Sequence, residues 1–357
     1  MKTRNLIVLL IVLLIACTLY AHSNAKMGNY SEHINALNSD TKTLTTKRIL
    51  SASFAGRDAA WIVPLNGRQL IYTHDGGEHW HKAPDDPVKG FWQTSFVNER
   101  AGWATGFQGG VWTTLNKGEK WQPLAKLKPN GVNGFVGSEL QFIDHTHGWA
   151  VEGRKYFWRT TDGGINWEAT SPLNGLSAAI MKLHFITPQN GWLGCEDGIL
   201  LKTNNGGGHW EKLKANSSET IYGLWFANEK EGWALIGNSV YRSSDGGKSW
   251  KPVFLNEQPY ESPVLLSIYF LNRQKGWATG YNLGKSAENS ATSNPKGVIF
   301  HTSDGGETWT ELETDILDKV LSQIYYSDIN HGWLISTDYV YRTFDGGKTW
   351  KLTLSIP

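Results

Sequence analysis

Apolar residues fall in short runs through most of the chain, each closed by Gly, Asn, Asp or Pro. Residues 219–256 show the pattern cleanly. Ile221–Phe226 is an apolar run, Asn228–Glu231 a polar break, and Gly232–Ile236 a second run. Ser239–Ser243 is a third, and Trp250–Phe254 follows after another break. The runs are rich in β-branched and aromatic residues, which predicts four short strands joined by tight turns.

The same arrangement recurs. Ser243-Ser-Asp245-Gly-Gly-Lys-Ser-Trp250 returns in altered form at Thr73–Trp80, Thr114–Trp121, Thr160–Trp167, Thr203–Trp210, Thr302–Trp309 and Thr343–Trp350. Successive copies are 41, 46, 43, 40, 59 and 41 residues apart, counted between their tryptophans. In phase with them, a small residue precedes Trp61, Trp103, Trp149, Trp192, Trp233, Trp277 and Trp333. A period near 40 residues signals a repeat architecture. Four strands in each of seven units predict an all-β chain, a seven-bladed β-propeller. A parallel β-helix is the rival repeat fold, but its coils are shorter and lack a hairpin in each repeat. The predicted blades are about 49–84, 88–128, 134–172, 176–215, 219–256, 262–314 and 318–357. The first has its own inner strand and the last its own outer one, so closure needs no strand exchange.

The eight-residue motif has a physical logic. Asp or Asn accepts backbone hydrogen bonds within a turn. Gly takes positive φ without steric cost. The Ser or Thr two residues earlier offers a hydroxyl to the same turn, and the Trp buries a large ring. The seven key residues are Asp75, Asn116, Asp162, Asn205, Asp245, Asp304 and Asp345. Asn stands for Asp twice, and Lys117 takes the place of the first Gly. One carboxylate and one hydroxyl per turn are too few oxygens for a calcium loop. The turns are expected to be structural, and no metal or other cofactor is expected.

The pattern S/T-x-D-x-G-x-x-W resembles the Asp-box, or bacterial neuraminidase repeat, which in that family joins the third and fourth strands of a propeller blade. Asn98-Glu-Arg-Ala-Gly-Trp-Ala-Thr-Gly106 and Asn272-Arg-Gln-Lys-Gly-Trp-Ala-Thr-Gly280, with the following boxes, resemble the photosystem II stability and assembly factor family. That resemblance implies a non-catalytic scaffold that docks on membrane-protein subunits during assembly. The motif is specific to the fold rather than to the function. Sialidases and some glucanases also carry Asp-boxes, so a glycoside hydrolase or carbohydrate-binding protein is the alternative, with a glycan as its ligand. Sialidases open their Arg triad with R-I/L-P, a tripeptide missing here. Hydrolysis needs two facing carboxylates, and Glu196 and Asp197 are adjacent.

Composition narrows the partner. The chain has 34 basic and 33 acidic residues. Removing residues 1–16 takes away Lys2 and Arg4 and leaves 32 against 33. Such a balance argues against nucleic acid, which calls for a basic footprint. A protein partner, membrane-associated, is expected for a monomeric propeller. Lys2, Arg4 and the apolar run Leu6–Ala16 read as a secretory signal. The run is too short to span a bilayer as a helix. Leu14-Ile-Ala-Cys17 resembles a bacterial lipobox, which implies lipidation of Cys17 and an exported, membrane-anchored protein. Ordinary cleavage after Ala25 is the alternative, giving a secreted protein. Residues 17–48 are then a lipidated start and a polar tether.

Candidate contact residues fall into two groups. Three positions before each box Asp or Asn stand Tyr72, Thr113, Arg159, Lys202, Arg242, His301 and Arg342. The basic ones either face a partner as a stripe or pair with a neighbouring acid or carbonyl. On the opposite face are expected Arg68, Arg154, Lys155, Glu196, Asp197 and the insertion Tyr281–Lys296, with Trp92 and Tyr260 nearby. They either form a mouth over the central channel or are solvated loop residues. Cys195 is more readily a small buried thiol than a nucleophile.

Overall fold

The computed structural model describes residues 49–356, apart from 66–68, 84–89, 107–108, 128–136, 174, 176, 216, 255–262, 283–294, 315 and 317–318. The chain forms seven antiparallel sheets of four strands, each in sequence order. This is the expected seven-bladed propeller. First strands run over Ile49–Ala55, Phe91–Phe96, Gly137–Phe142, Ile180–Phe185, Ile221–Phe226, Val264–Phe270 and Leu321–Tyr326. They touch one another at six junctions and meet through Phe54 and Tyr325 at the seventh, and so line the central channel. The last sheet ends in its own strand, Lys351–Ser355, and among the described residues no sheet borrows a strand from the other terminus. The first-to-second turns and the boxes share one face. The second-to-third and fourth-to-first connections share the other.

Second strands carry the core. Gly232–Ile236, like the second strands beginning at Gly102, Gly148, Gly191 and Gly332, is buried along its whole length, because blades cover it on both sides. Its Trp233 is fully buried, as are Trp61, Trp192 and Trp277, while Trp103, Trp149 and Trp333 expose no more than 2%. Each of six such indoles lies flat against an inner-strand aromatic of the next blade. The centroid distances are 3.5 Å for Trp61–Phe96, 3.9 Å for Trp103–Phe142 and 3.7 Å for Trp149–Phe185. They are 3.8 Å for Trp192–Phe226, 4.0 Å for Trp233–Phe270 and 3.7 Å for Trp277–Tyr326.

The glycine before the tryptophan makes this stack possible. Gly232 pairs with Phe226 in its own sheet, and a Cβ there would stand 2.4 Å from the Phe226 ring. Gly102 relates to Phe96 in the same way. Blade one has Ala60 in this place, paired with Phe54. There the stack opens: Phe54 lies 5.8 Å from Trp333 at 26°, and Tyr325 covers Phe54 at 5.1 Å. The junction of the last blade with the first is thus built differently from the other six.

Candidate functional site

The box turns are self-contained knots. In all seven, the Ser or Thr hydroxyl donates to the Asp or Asn side chain at 2.7–2.9 Å. The same hydroxyl accepts the N–H four residues on at 2.8–3.1 Å. The Asp or Asn oxygen accepts the N–H four residues beyond itself at 2.9–3.0 Å. Asn116 and Asn205 make this set as well as Asp does, since only an acceptor is needed. Lys117 holds the glycine conformation at φ 69°. Hydrogen bonds from the Thr308 side chain and backbone outweigh a small burial penalty and hold Asp304 at about 2. At Asp345 burial pushes upward, but the Thr349 bonds win and hold it at about 2 as well. Among the described residues no three His, Cys, Asp or Glu side chains gather as metal ligands would.

Boxes also receive the preceding blade. The indole N–H of Trp61 donates to Lys117 O at 2.6 Å, and Trp103 to Gly163 O at 2.7 Å. Trp149 to Gly206 O, Trp192 to Gly246 O and Trp233 to Gly305 O span 2.8–3.0 Å. The basic positions three before the box residue run the same way. Arg159 pairs with Glu168 at 2.7 Å and reaches Asn205 O of the next box at 3.3 Å. Arg242 meets Glu307 of the next box at 3.1 Å, and Lys202 lies over Trp192 and reaches Glu229 O. Arg342 pairs with Asp58 of blade one at 2.5 Å and lies 4.8 Å over the Trp333 ring. Its side chain is 1% exposed. The expectation that Arg342 faces a partner is therefore corrected: a guanidinium sealed against blade one has no surface to present. Arg159 and Arg242 keep a quarter of their side-chain surface but are engaged between blades.

An inner layer of ties surrounds the channel. Gln141 donates to Phe185 O and accepts from Phe185 N, at 3.0 and 2.8 Å. Ser95 accepts from Phe142 N, His184 donates to Phe226 O at 3.2 Å and Tyr269 to Tyr326 O at 2.8 Å. Each of these links points to the following blade. They satisfy inner-strand backbone groups that would otherwise be open edges. Burial, with Lys182 nearby, pulls the His184 imidazole down to about 4 despite its bond to Phe226 O.

On the other face, Arg154 sits at φ 62° and pairs with Glu196 of the next blade at 2.7 Å, with its guanidinium also against the Met181 sulfur. Glu196 also accepts Ala179 N at 3.1 Å, and its neighbour Asp197 lies in a tight turn at φ 57°. Lys155 and Tyr156 are exposed beside them. Burial and the Glu196 charge push the Cys195 thiol up to about 12, which leaves it inert. Arg68, Tyr260, Cys17 and residues 283–294 of the insertion lie outside the described residues.

A feature not foreseen from the sequence lies at this end of the channel. Every inner strand shows a register shift at the same place. The residues at the shift are Leu50, Trp92, Ser138, Met181, Tyr222, Leu266 and Ser322. A bulge leaves one residue out of the ladder and re-aims its side chain. The bulges sit at the strand end nearest the second-to-third turns, so the seven positions circle the channel mouth opposite the boxes. Just inside them lie polar contacts between neighbouring blades, Ser51 to Gln93 at 3.0 Å and Lys182 to Glu139 at 2.8 Å. In sequence, the signal was a fixed position four before the strand-ending aromatic.

Fold and turns define the class, an Asp-box β-propeller. A family model for the BNR/Asp-box repeat matches residues 341–352. A second, for photosynthesis system II assembly factor YCF48, matches residues 134–220, which span blades three and four. The propeller resembles that assembly factor. It is 26% identical over 179 residues to photosystem II assembly lipoprotein Ycf48 of Synechococcus sp. (strain CC9902), covering 48% of each chain. It is 30% identical over 126 residues to photosystem II assembly protein Ycf48 of Synechococcus sp. (strain JA-2-3B'a(2-13)), covering 34% of this chain and 33% of that one. The chain thus spans about half or less of the length of these curated relatives. The solved structure of YCF48 bound to D1 peptide shares the fold, with a TM-score of 0.63 at 20% identity over 84% of this chain and 94% of that one. The two Synechococcus relatives are named as assembly proteins and not as enzymes.

Proposed function

We propose that the protein is a non-catalytic, membrane-anchored extracytoplasmic propeller that binds a protein partner during assembly of a membrane complex. The observation that carries this reading is the likeness to photosystem assembly factors, by a family model over residues 134–220 and by a relative over 179 residues. One such relative is named a lipoprotein, in keeping with Leu14–Cys17 as a lipidation signal and residues 17–48 as a tether to the propeller at 49–357. The geometry supports it too. Box carboxylates and inter-blade cations are engaged within the ring, which suits a rigid scaffold. Glu196, a candidate for the glycosidase alternative, is bound by Arg154 and Ala179 N. No photosystem is implied, only a membrane-protein client. Solubilised membranes of the source organism, fractionated by size, test the reading. The protein should travel with a membrane complex, and Cys17→Ala should release it from the membrane. Migration as an unaccompanied monomer would overturn the docking role.

A further inference from the structure

The two ends of the channel differ in the side chains that line them. At the box end, Gln141, His184 and Tyr269 are spent on the next blade. At the other end, the bulge positions carry Leu50, Trp92, Met181, Tyr222 and Leu266, the Met181 sulfur lying against the Arg154 guanidinium. All five are partly accessible, Leu266 most at 36%. Large apolar side chains gathered at one accessible mouth mark an interaction site.

Where the chain enters supplies the second argument. Ile49 N donates to Thr337 O at 3.1 Å, in the second-to-third turn of the last blade. The segment before Ile49 therefore joins the propeller at this same mouth, beside Leu50. Cys17 is 32 residues upstream. Thirty-two residues can reach at most about 100 Å. A lipid on Cys17 thus keeps this mouth within reach of the bilayer.

We propose that the bulge rim is the docking surface, and that it takes an apolar or aromatic side chain offered by the extracytoplasmic part of a membrane-embedded protein. This rests on the assembly-factor reading above and names its face and chemistry. The charges fringing the rim decide for protein over lipid. Arg154–Glu196 and Lys182–Glu139 are mixed pairs, whereas anionic headgroups call for a basic cluster. The rival surface is the box face, where Leu115, Ile165 and Phe344 are exposed.

Photocrosslinking distinguishes them. A benzophenone amino acid replaces Leu266 or, separately, Phe344 in the full-length protein in its own membranes, and adducts are mapped by mass spectrometry. The Leu266 position should give one adduct, mapped to an extracytoplasmic segment of a membrane protein. Adding Ser322→Lys, at an exposed rim position, should cut its yield about tenfold with the melting temperature unchanged. A lipid adduct at Leu266, or indifference to Ser322→Lys, overturns the proposal. Protein adducts at Phe344 alone overturn the rim while leaving protein docking in place. No protein adduct at either position removes both. Should Ser322→Lys not fold, the adduct map of the two labelled proteins still decides.

Discussion

Arg342 and Asp58 meet at 2.5 Å across the junction of the last blade with the first, 284 residues apart in sequence. Arg342 is sealed from water and Asp58 is not. At this junction the aromatic stack is open, and the Trp333 N–H has no acceptor among the described residues. Lys351 of the last blade also pairs with Glu78 of the first box at 2.9 Å. These ion pairs reinforce a junction where the two blades also share an apolar cluster, with Ile62, Ile71, Trp333, Ile335 and Val340 buried.

The glycine before the second-strand tryptophan should be intolerant of a methyl group. Gly232→Ala forces Phe226 off Trp192 and should cost about 1–3 kcal/mol by overpacking. Ala60→Gly removes a methyl where the ring has already moved, and should change stability by only about 1 kcal/mol or less. Urea unfolding of the two variants checks the contrast; equal costs would contradict the steric account.

Trp149→Phe keeps an aromatic ring against Phe185 but loses the bond to Gly206 O. It should cost about 1 kcal/mol more than Trp333→Phe, whose indole makes no such bond. The unfolding midpoints of the two proteins, compared at equal m-value, give the difference.

Each box knot should matter alone and modestly. Asp304→Ala should cost about 1 kcal/mol through its lost turn bonds, and Asp304→Asn much less, because Asn116 and Asn205 already serve. Urea midpoints unmoved by Ala at Asp245, Asp304 and Asp345 alike would refute the knot.

Acid should destabilise the ring in two stages. His184 titrates near 6.5 when unfolded but is held at about 4 in the fold. The unfolded chain then binds the proton first, so stability is lost as pH falls from about 6.5 to 4. Asp304 and Asp345 have folded values depressed to about 2, so their contribution is present above about pH 4 and lost towards pH 2. A urea series from pH 7 to 2.5 should show both stages, and His184→Gln should shrink the first, leaving the share of His74 and His301, which burial also holds below the usual imidazole range.

Period and motif made the blade count and the knots legible in the sequence, because both are local. Asp75 finds its partners at Thr73 and His79 without the rest of the fold. The direction of the ties was not legible. Arg342 needs Asp58, which no spacing links to it, and the basic series reads equally as a surface stripe. The bulge rim was hidden for another reason. Leu50, Trp92 and Met181 look like ordinary strand residues until register shows them left out of the ladder.

Ring closure through Arg342 and Asp58 is most directly tested by a charge-swap cycle in urea. Arg342→Asp and Asp58→Arg should each destabilise the protein. Together they should recover part of the loss, with a coupling of about 1–3 kcal/mol. Strictly additive losses would mean that the pair does not hold the first and last blades together.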